Sequence, residues 1–214
     1  MPEHRGRIDT IRLVGGNACL DFVNTANGRR TNGTLGSLEE NLCQPDDVAT
    51  WALRATLVAP SEYEALLGAI KADTTNAANQ LAALIAFRDR LYRLLEATVS
   101  GMDCADGVDE LNRMLARTTP FRHIEHDKQA PRFQWVWTQP VTTHSIFDRV
   151  LGRVALGAAE VLTGENLPRL RICASCDCDW LFLDASKSGR RRWCQMDVCG
   201  NRAKARRHAK QIDV

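Results

Sequence analysis

RLRICASCDCDWLFLDASKSGRRRWCQMDVCGNRAKARRHAKQIDV, residues 169–214, places five of the chain's eight cysteines, Cys173, Cys176, Cys178, Cys194 and Cys199, within 27 residues. Thiols this dense either form disulfides or bind a metal. The chain opens MPEHRGRID, with both signs of charge and no apolar block to serve as an export signal. We therefore read a soluble, cytoplasmic protein with no membrane partner, in which thiols stay reduced and a metal explains the cluster better than disulfides or a redox set. Structural zinc takes four ligands in a tetrahedron, which two short-range cysteine pairs separated by a hairpin supply while closing only small loops. Cys194 and Cys199 make one pair. Cys173 partners either Cys176 or Cys178, and both spacings suit zinc.

Between the pairs, DWLFLD has the alternation of a strand, with Trp180 and Phe182 on one face and Leu181 and Leu183 on the other. SKSG is a polar turn leading into RRRW. The expected order is knuckle, hairpin, second knuckle and a helix from near Gly200, as in a treble clef or zinc ribbon. A module of this size cannot bury a sufficient core, and metal binding, about 10–16 kcal/mol in small zinc peptides, offsets the entropy of ordering it. Four thiolates leave no open coordination position. The metal is read as one structural zinc per chain rather than a catalytic ion.

The same stretch carries the charge. Residues 169–214 have a net charge of +6, whereas residues 1–168 have −4. After Cys199, Arg202, Arg206 and Lys210 recur every four residues, one stripe on a helix, with Arg207 beside it and Lys204 farther round. Ala205, Ala209 and Ile212 gather on another side, where they would face the hairpin. Arg190, Arg191 and Arg192 add cations on the segment before the second knuckle, read as a strand. Cations so dense on a rigid scaffold suit phosphate neutralisation, and arginine also matches guanine edges, which points to double-stranded DNA. RNA or ribosome binding and a solvated or protein-binding basic face are the alternatives.

Before Pro168 the periodicity is mostly helical. IRLVGGNACLDFVNTANGRR holds a short strand or helix ending in a turn-rich loop, and Val48, Trp51 and Ala52 share a helical face. SEYEALLGAIKA reads as a helix capped by Ser61 with Glu64 three residues on. A long helix opens at Asn76 and stops at Gly101, with Leu81, Leu84, Leu91 and Leu95 at three- and four-residue steps. Another runs from about Asp106 to Arg117. FRHIEH and RFQWVWT form a strand pair across the turn DKQAP, and HSIFDRVLGRVALGAAEVLTG is the last large helix. The fold class is α+β: a mostly helical domain of residues 8–165 with a small β-hairpin, then a zinc finger of residues 169–212.

RRWCQMDVCGNRAKARR, preceded by DCDWLFLDAS, resembles the CGNR zinc finger, named for the tetrapeptide that stands here as Cys199, Gly200, Asn201 and Arg202. GGNACLDFVNTANG, LGSLEE and a tryptophan-containing helix are similar to the ABATE domain that accompanies this finger in bacterial stress-induced transcription regulators. The resemblance implies Cys173, Cys178, Cys194 and Cys199 as the zinc ligands, with Cys176 a departure from the family pattern. It also implies a sensor role for the front domain, leaving room for a small-molecule effector and a homodimer.

Asp21, Asn24 and Thr25 lie beside an apolar run at a loop, where they would either meet such a ligand or organise the turn. Arg88 interrupts an apolar helical face, as a buried partner of an acid such as Asp21 or as a ligand clamp. There is no glycine-rich phosphate loop, nucleophile elbow or His-Glu-x-x-His, so the reading is not an enzyme. Its rivals are an RNA-binding zinc protein, an enzyme of the helical domain with an ancillary finger, and an interaction adaptor.

Overall fold

The computed structural model describes residues 7–29, 38–127, 130–138 and 140–212, with side chains described as far as Ala209. Most of the turn-rich loop after Asn27, part of the DKQAP turn, and the side chains of Lys210 and Ile212 lie outside the described residues. The elements are α1 (Ala18–Val23), β1 (Ala26–Asn27), β2 (Glu39–Glu40), α2 (Pro45–Arg54), α3 (Pro60–Ala72), α4 (Thr74–Ser100), α5 (Ala105–Thr118), β3 (Arg122–His126), β4 (Phe133–Trp137), α6 (Asp148–Thr163), β5 (Leu170–Ile172), β6 (Leu181–Leu183) and α7 (Asn201–Ile212). The strands form three antiparallel pairs, β1 with β2, β3 with β4 and β5 with β6, so the α+β reading holds with helix dominant.

Three helix starts differ from the sequence reading, for local reasons. Helix α3 begins at Pro60, whose missing N–H sits where no intrahelical bond is needed, and the Glu62 carboxylate accepts from the Ala59 N–H at 3.0 Å. The Ser61 and Glu64 pair is thus displaced by a turn position. Helix α4 begins at Thr74 rather than Asn76, two residues earlier, because the Asp73 side chain accepts from the Asn76 N–H at 3.0 Å and caps it there. Gly101, in the left-handed conformation, ends it. The last large helix starts at Asp148, after a turn that buries Ile146 and Phe147.

The core forms where α1, α4, α5 and α6 meet, with α2 and α3 closing one side. Leu20, Phe22, Trp51, Leu84, Leu91, Leu95, Phe147 and Val154 are buried there, with the Phe22 and Trp51 rings 5.2 Å apart. Fully burying side chains of this size contributes about 1.5–3 kcal/mol each. Trp137 anchors the β3–β4 hairpin against α6. Its ring lies so close to Gly152 that a Cβ there would stand 2.5 Å away, which only glycine avoids. Beyond that anchor the hairpin exposes Ile124, Phe133 and Trp135.

The C-terminal hairpin is closed differently from the sequence reading. Strand β6 pairs with β5, as Leu170 with Leu183 and Ile172 with Leu181, and residues 189–193 form no strand. Two features divert that segment. Gly189 takes φ +63°, with Arg169 packed where a Cβ would point, and the Arg191 N–H is given to the Asp184 carboxylate at 2.8 Å. The alternation in DWLFLD is as expected: Leu181 joins the main core, while Phe182 packs on the cysteines.

Candidate metal centre and basic surface

The first knuckle bridges β5 and β6. The Cys173 N–H donates to the Trp180 carbonyl at 2.9 Å and the Cys178 N–H to the Ser175 carbonyl at 3.2 Å, so the turn returns Cys178 beside Cys173. The second knuckle is the wide turn Met196–Gly200, from which α7 departs; the Asn201 side-chain amide donates to the Asp197 carbonyl at 2.9 Å, an Asn201 role internal to the knuckle. Cys173, Cys178, Cys194 and Cys199 are all buried, and their sulfurs lie within 4.8 Å of one another. The Cys178 and Cys194 sulfurs are 3.7 Å apart, and those of Cys194 and Cys199 3.6 Å. A tetrahedron with Zn–S bonds of about 2.3 Å has sulfurs about 3.8 Å apart, so the four thiols fit zinc.

Cys176 is exposed and outside the cluster. The geometry therefore decides between the two first-pair partners that spacing left open, in favour of Cys178. Arg202 Nη2 donates to the Cys199 sulfur at 3.4 Å and the Cys194 N–H to the Cys173 sulfur at 3.5 Å. Both donors stabilise negative charge on thiolates. Phe182, Trp180, Trp193 and Val198 pack around the centre. A zinc ion held by these four residues supplies folding energy and leaves no position for substrate.

The cations divide into two sets. Arg191 turns inward: its guanidinium stacks 4.6 Å over the Phe182 ring, its Nε donates to the Trp193 carbonyl at 2.9 Å and its Nη2 to the Cys194 carbonyl. Arg202 and Arg206 converge on Asp177, at 2.8 and 3.1 Å, and Arg206 also donates to the Ser175 hydroxyl. Partial burial works to raise the Asp177 pKa, and the bonds from Arg206, Ser175 and Arg202 outweigh it, so the carboxyl stays below its ordinary value. Arg190, Arg192, Lys204 and Arg207 are exposed. Ala203 and Arg206, rather than Ala205 and Ala209, face the knuckle, because α7 leaves the turn with that side inward.

Arg192, Arg206 and Arg207 meet at a groove of about 300 Å³, walled by Trp193 and by Ser175 and Cys176 of the first knuckle. Arg192 lies 5.4 Å over the Trp193 ring.

The front residues singled out in the sequence are drawn into the fold. Asn24 is 1% exposed, and its amide both accepts from the Leu181 N–H at 2.9 Å and donates to the Leu181 carbonyl at 2.8 Å. It thus serves β6 as a neighbouring strand would. Thr25 is buried, with its hydroxyl on the Phe22 carbonyl. Arg88 is fully buried, and its acids are Glu40 and Asp89 rather than Asp21: Nη1 and Nη2 donate to the two Glu40 oxygens at 2.6 and 2.7 Å, and Nε and Nη2 to Asp89 at 3.1 and 3.0 Å. Asp21 instead accepts from the Gly15 N–H at 2.8 Å, and burial raises its pKa to about 6 against the pull of the Gly15 and Val14 N–H groups.

Sequence reasoning missed the seam this creates. The Tyr92 hydroxyl donates to the Asp179 carbonyl at 3.0 Å, the Arg29 N–H to the Asp179 carboxylate at 2.6 Å, and the Leu183 N–H to the Gly15 carbonyl at 2.8 Å. Arg12 and Asp197 are joined at 2.6 Å. These partners lie 80 to nearly 190 residues apart in the chain, and no local spacing signals them.

A helical body bound to a four-cysteine zinc finger is the class of protein these features define. Residues 16–165 match the ABATE family, described as a putative stress-induced transcription regulator, and residues 169–211 match the CGNR zinc finger. The chain belongs to the ABATE family and carries the CGNR zinc finger after it. No curated protein matches the chain. Among the described residues no helix is long and apolar enough to cross a membrane.

Proposed function

We propose that this chain is a non-enzymatic, cytoplasmic transcription regulator in which residues 8–165 sense a stress-linked effector and the finger, residues 169–212, docks on double-stranded DNA. The groove shared by Arg192, Arg206 and Arg207 carries this reading. It is concave, exposed and cationic, held open by the metal-fixed knuckles, and roomy enough for a phosphodiester. Arg190 and Lys204 extend the positive surface, and Lys210 lies farther along the same helix. Zinc sets the knuckles and the start of α7; the basic side chains then neutralise phosphates and reach toward base edges. The family's description as a transcription regulator supports the DNA reading over RNA. A homodimer would present two fingers to a two-fold site.

Arg192→Ala combined with Arg207→Ala tests the interface with the least damage to the fold, since Arg191, Arg202 and Arg206 also hold the module together. Loss of two phosphate contacts lowers the slope of log affinity against log salt by about 1.8. Fluorescence anisotropy of labelled duplex at several salt concentrations reads it. An unchanged slope removes the groove from the interface, and preference for structured RNA in competition transfers the function to RNA.

A further inference from the structure

A second concavity belongs to the helical body. A trough of about 630 Å³ opens between the α2–α3 turn, α6 and the β3–β4 hairpin. Leu57, Val58 and Leu156 line it, and Trp135 and Trp137 form an aromatic wall. Apolar concavities of this size with few polar groups are the usual form of small-molecule sites.

Two features mark it. Trp137 is 4% exposed and anchors the hairpin, whereas Trp135 is 46% exposed, with the Arg122 guanidinium 4.8 Å over its ring. Thr56, also lining the trough, takes φ +55° as the left-handed residue that ends α2: its N–H donates to the Leu53 carbonyl at 3.0 Å and the Leu57 N–H to the Ala52 carbonyl at 2.9 Å. Arg153 supplies a cation at one end of the trough. Its Nη2 reaches both Glu62 oxygens at 3.0 and 3.3 Å, its guanidinium lies 5.4 Å over the Trp137 ring, and its Nη1 is buried without a hydrogen-bond partner.

The local charge gives the sign of the ligand. Arg149 also donates to Glu62, at 2.7 Å, so two cations share one carboxylate and this end of the trough holds a positive surplus. Glu160 lines the trough too, but it lies seven residues along α6 from Arg153, about 10 Å by helical rise, at the other end. An arriving carboxylate would be drawn to that positive surplus while its ring lay against Trp135.

We propose that the trough is a binding site for a small, planar, apolar monoanion of the aromatic carboxylate class, seated with its ring on Trp135 and its carboxylate toward Arg153. Binding itself requires no DNA; only its regulatory consequence rests on the function proposed above.

Isothermal titration of the zinc-loaded full chain with 2-naphthoate, and with 2-naphthamide as the uncharged isostere, tests the site. The expected result is one saturable site for naphthoate, with naphthamide at least tenfold weaker. Arg153→Gln should weaken naphthoate at least tenfold, and Leu156→Trp, which fills the trough from a half-buried position, should do the same without lowering helical content. No saturable heat, equal affinity for acid and amide, or binding unmoved by Leu156→Trp overturns the proposal. Should Arg153→Gln fail to fold, the acid–amide comparison and Leu156→Trp still decide it. Loss of DNA binding by the Arg192 and Arg207 variants would leave these heats unchanged, so the two readings fail separately.

Discussion

Asn24→Ala weakens the link between the front of the chain and the zinc finger at a fully buried point. The amide meets both the N–H and the carbonyl of Leu181, at 2.9 and 2.8 Å, from a position 1% exposed, so removing it strands two backbone groups. A buried polar group left unpaired costs about 1–3 kcal/mol, and two adjacent ones are not fully additive, which gives about 2–5 kcal/mol. Strand β6 is the element at risk, and Cys178 stands three residues before Leu181. The cost therefore falls on opening of the finger as well as on global stability. If zinc leaves through that opening, the lower figure accelerates release about 30-fold, at a factor of ten per 1.4 kcal/mol. Urea denaturation at saturating zinc measures the first effect, and the rate of metal transfer to a chromogenic chelator the second. Tyr92→Phe, losing one bond to the Asp179 carbonyl, should show a smaller change in the same direction. A loss below about 0.5 kcal/mol with an unaltered release rate would refute the idea that Asn24 holds the finger.

Metal analysis should find one zinc per chain; Cys194→Ser and Cys199→Ser should lose it and unfold the tail while most helical signal persists, whereas Cys176→Ser should keep it. Retained zinc in either of the first two variants, or loss in the third, contradicts the ligand set. Asp21 has a folded-state pKa of about 6, above the ordinary 3.8, so its favourable contribution is complete below about pH 4 and is lost as pH rises through 6. Asp21→Asn, which keeps an acceptor for the Gly15 N–H, should raise stability at pH 8 by about 1–2 kcal/mol and make little difference at pH 4. Urea midpoints of the two proteins across that range give the comparison; equal gains at both pH values would sink it.

The zinc centre could be read almost entirely from residues close in sequence. Knuckle cysteines at short spacing, the alternation of DWLFLD and the onset of α7 after Cys199 are local patterns, and local patterns survive whatever surrounds them. The choice of Cys178 over Cys176 was different: both spacings satisfy zinc, the resemblance to the CGNR finger implied Cys178, and the path of β5 and β6 buries that sulfur and exposes the other. Helix existence was equally readable, because Leu81, Leu84, Leu91 and Leu95 repeat at helical steps, whereas two helix starts moved when Pro60 and Asp73 offered earlier terminations of the backbone hydrogen-bond ladder.

Charge was the least readable property. Arg190, Arg191 and Arg192 are indistinguishable as letters, yet Arg191 is spent on Phe182 and two carbonyls while its neighbours face solvent. Asp177 neutralises part of the stripe formed by Arg202 and Arg206. Arg88 was recognisable as a buried cation from its place on an apolar face, but of its two acids only Asp89 is a sequence neighbour, and Glu40, which takes both terminal nitrogens, arrives from 48 residues away.

By itself the sequence determined the helical class of the body, the four-thiolate metal centre and the presence of a basic terminal helix, since these depend on periodicity and spacing within a few turns of chain. Tertiary structure alone decided that Asn24 completes the pairing of β6, that the cations split into structural and exposed sets, and that Trp135, Thr56 and Arg153 share one trough. Each of those depends on which distant groups meet after burial, and burial decides whether a polar atom is left for a partner or consumed by the fold.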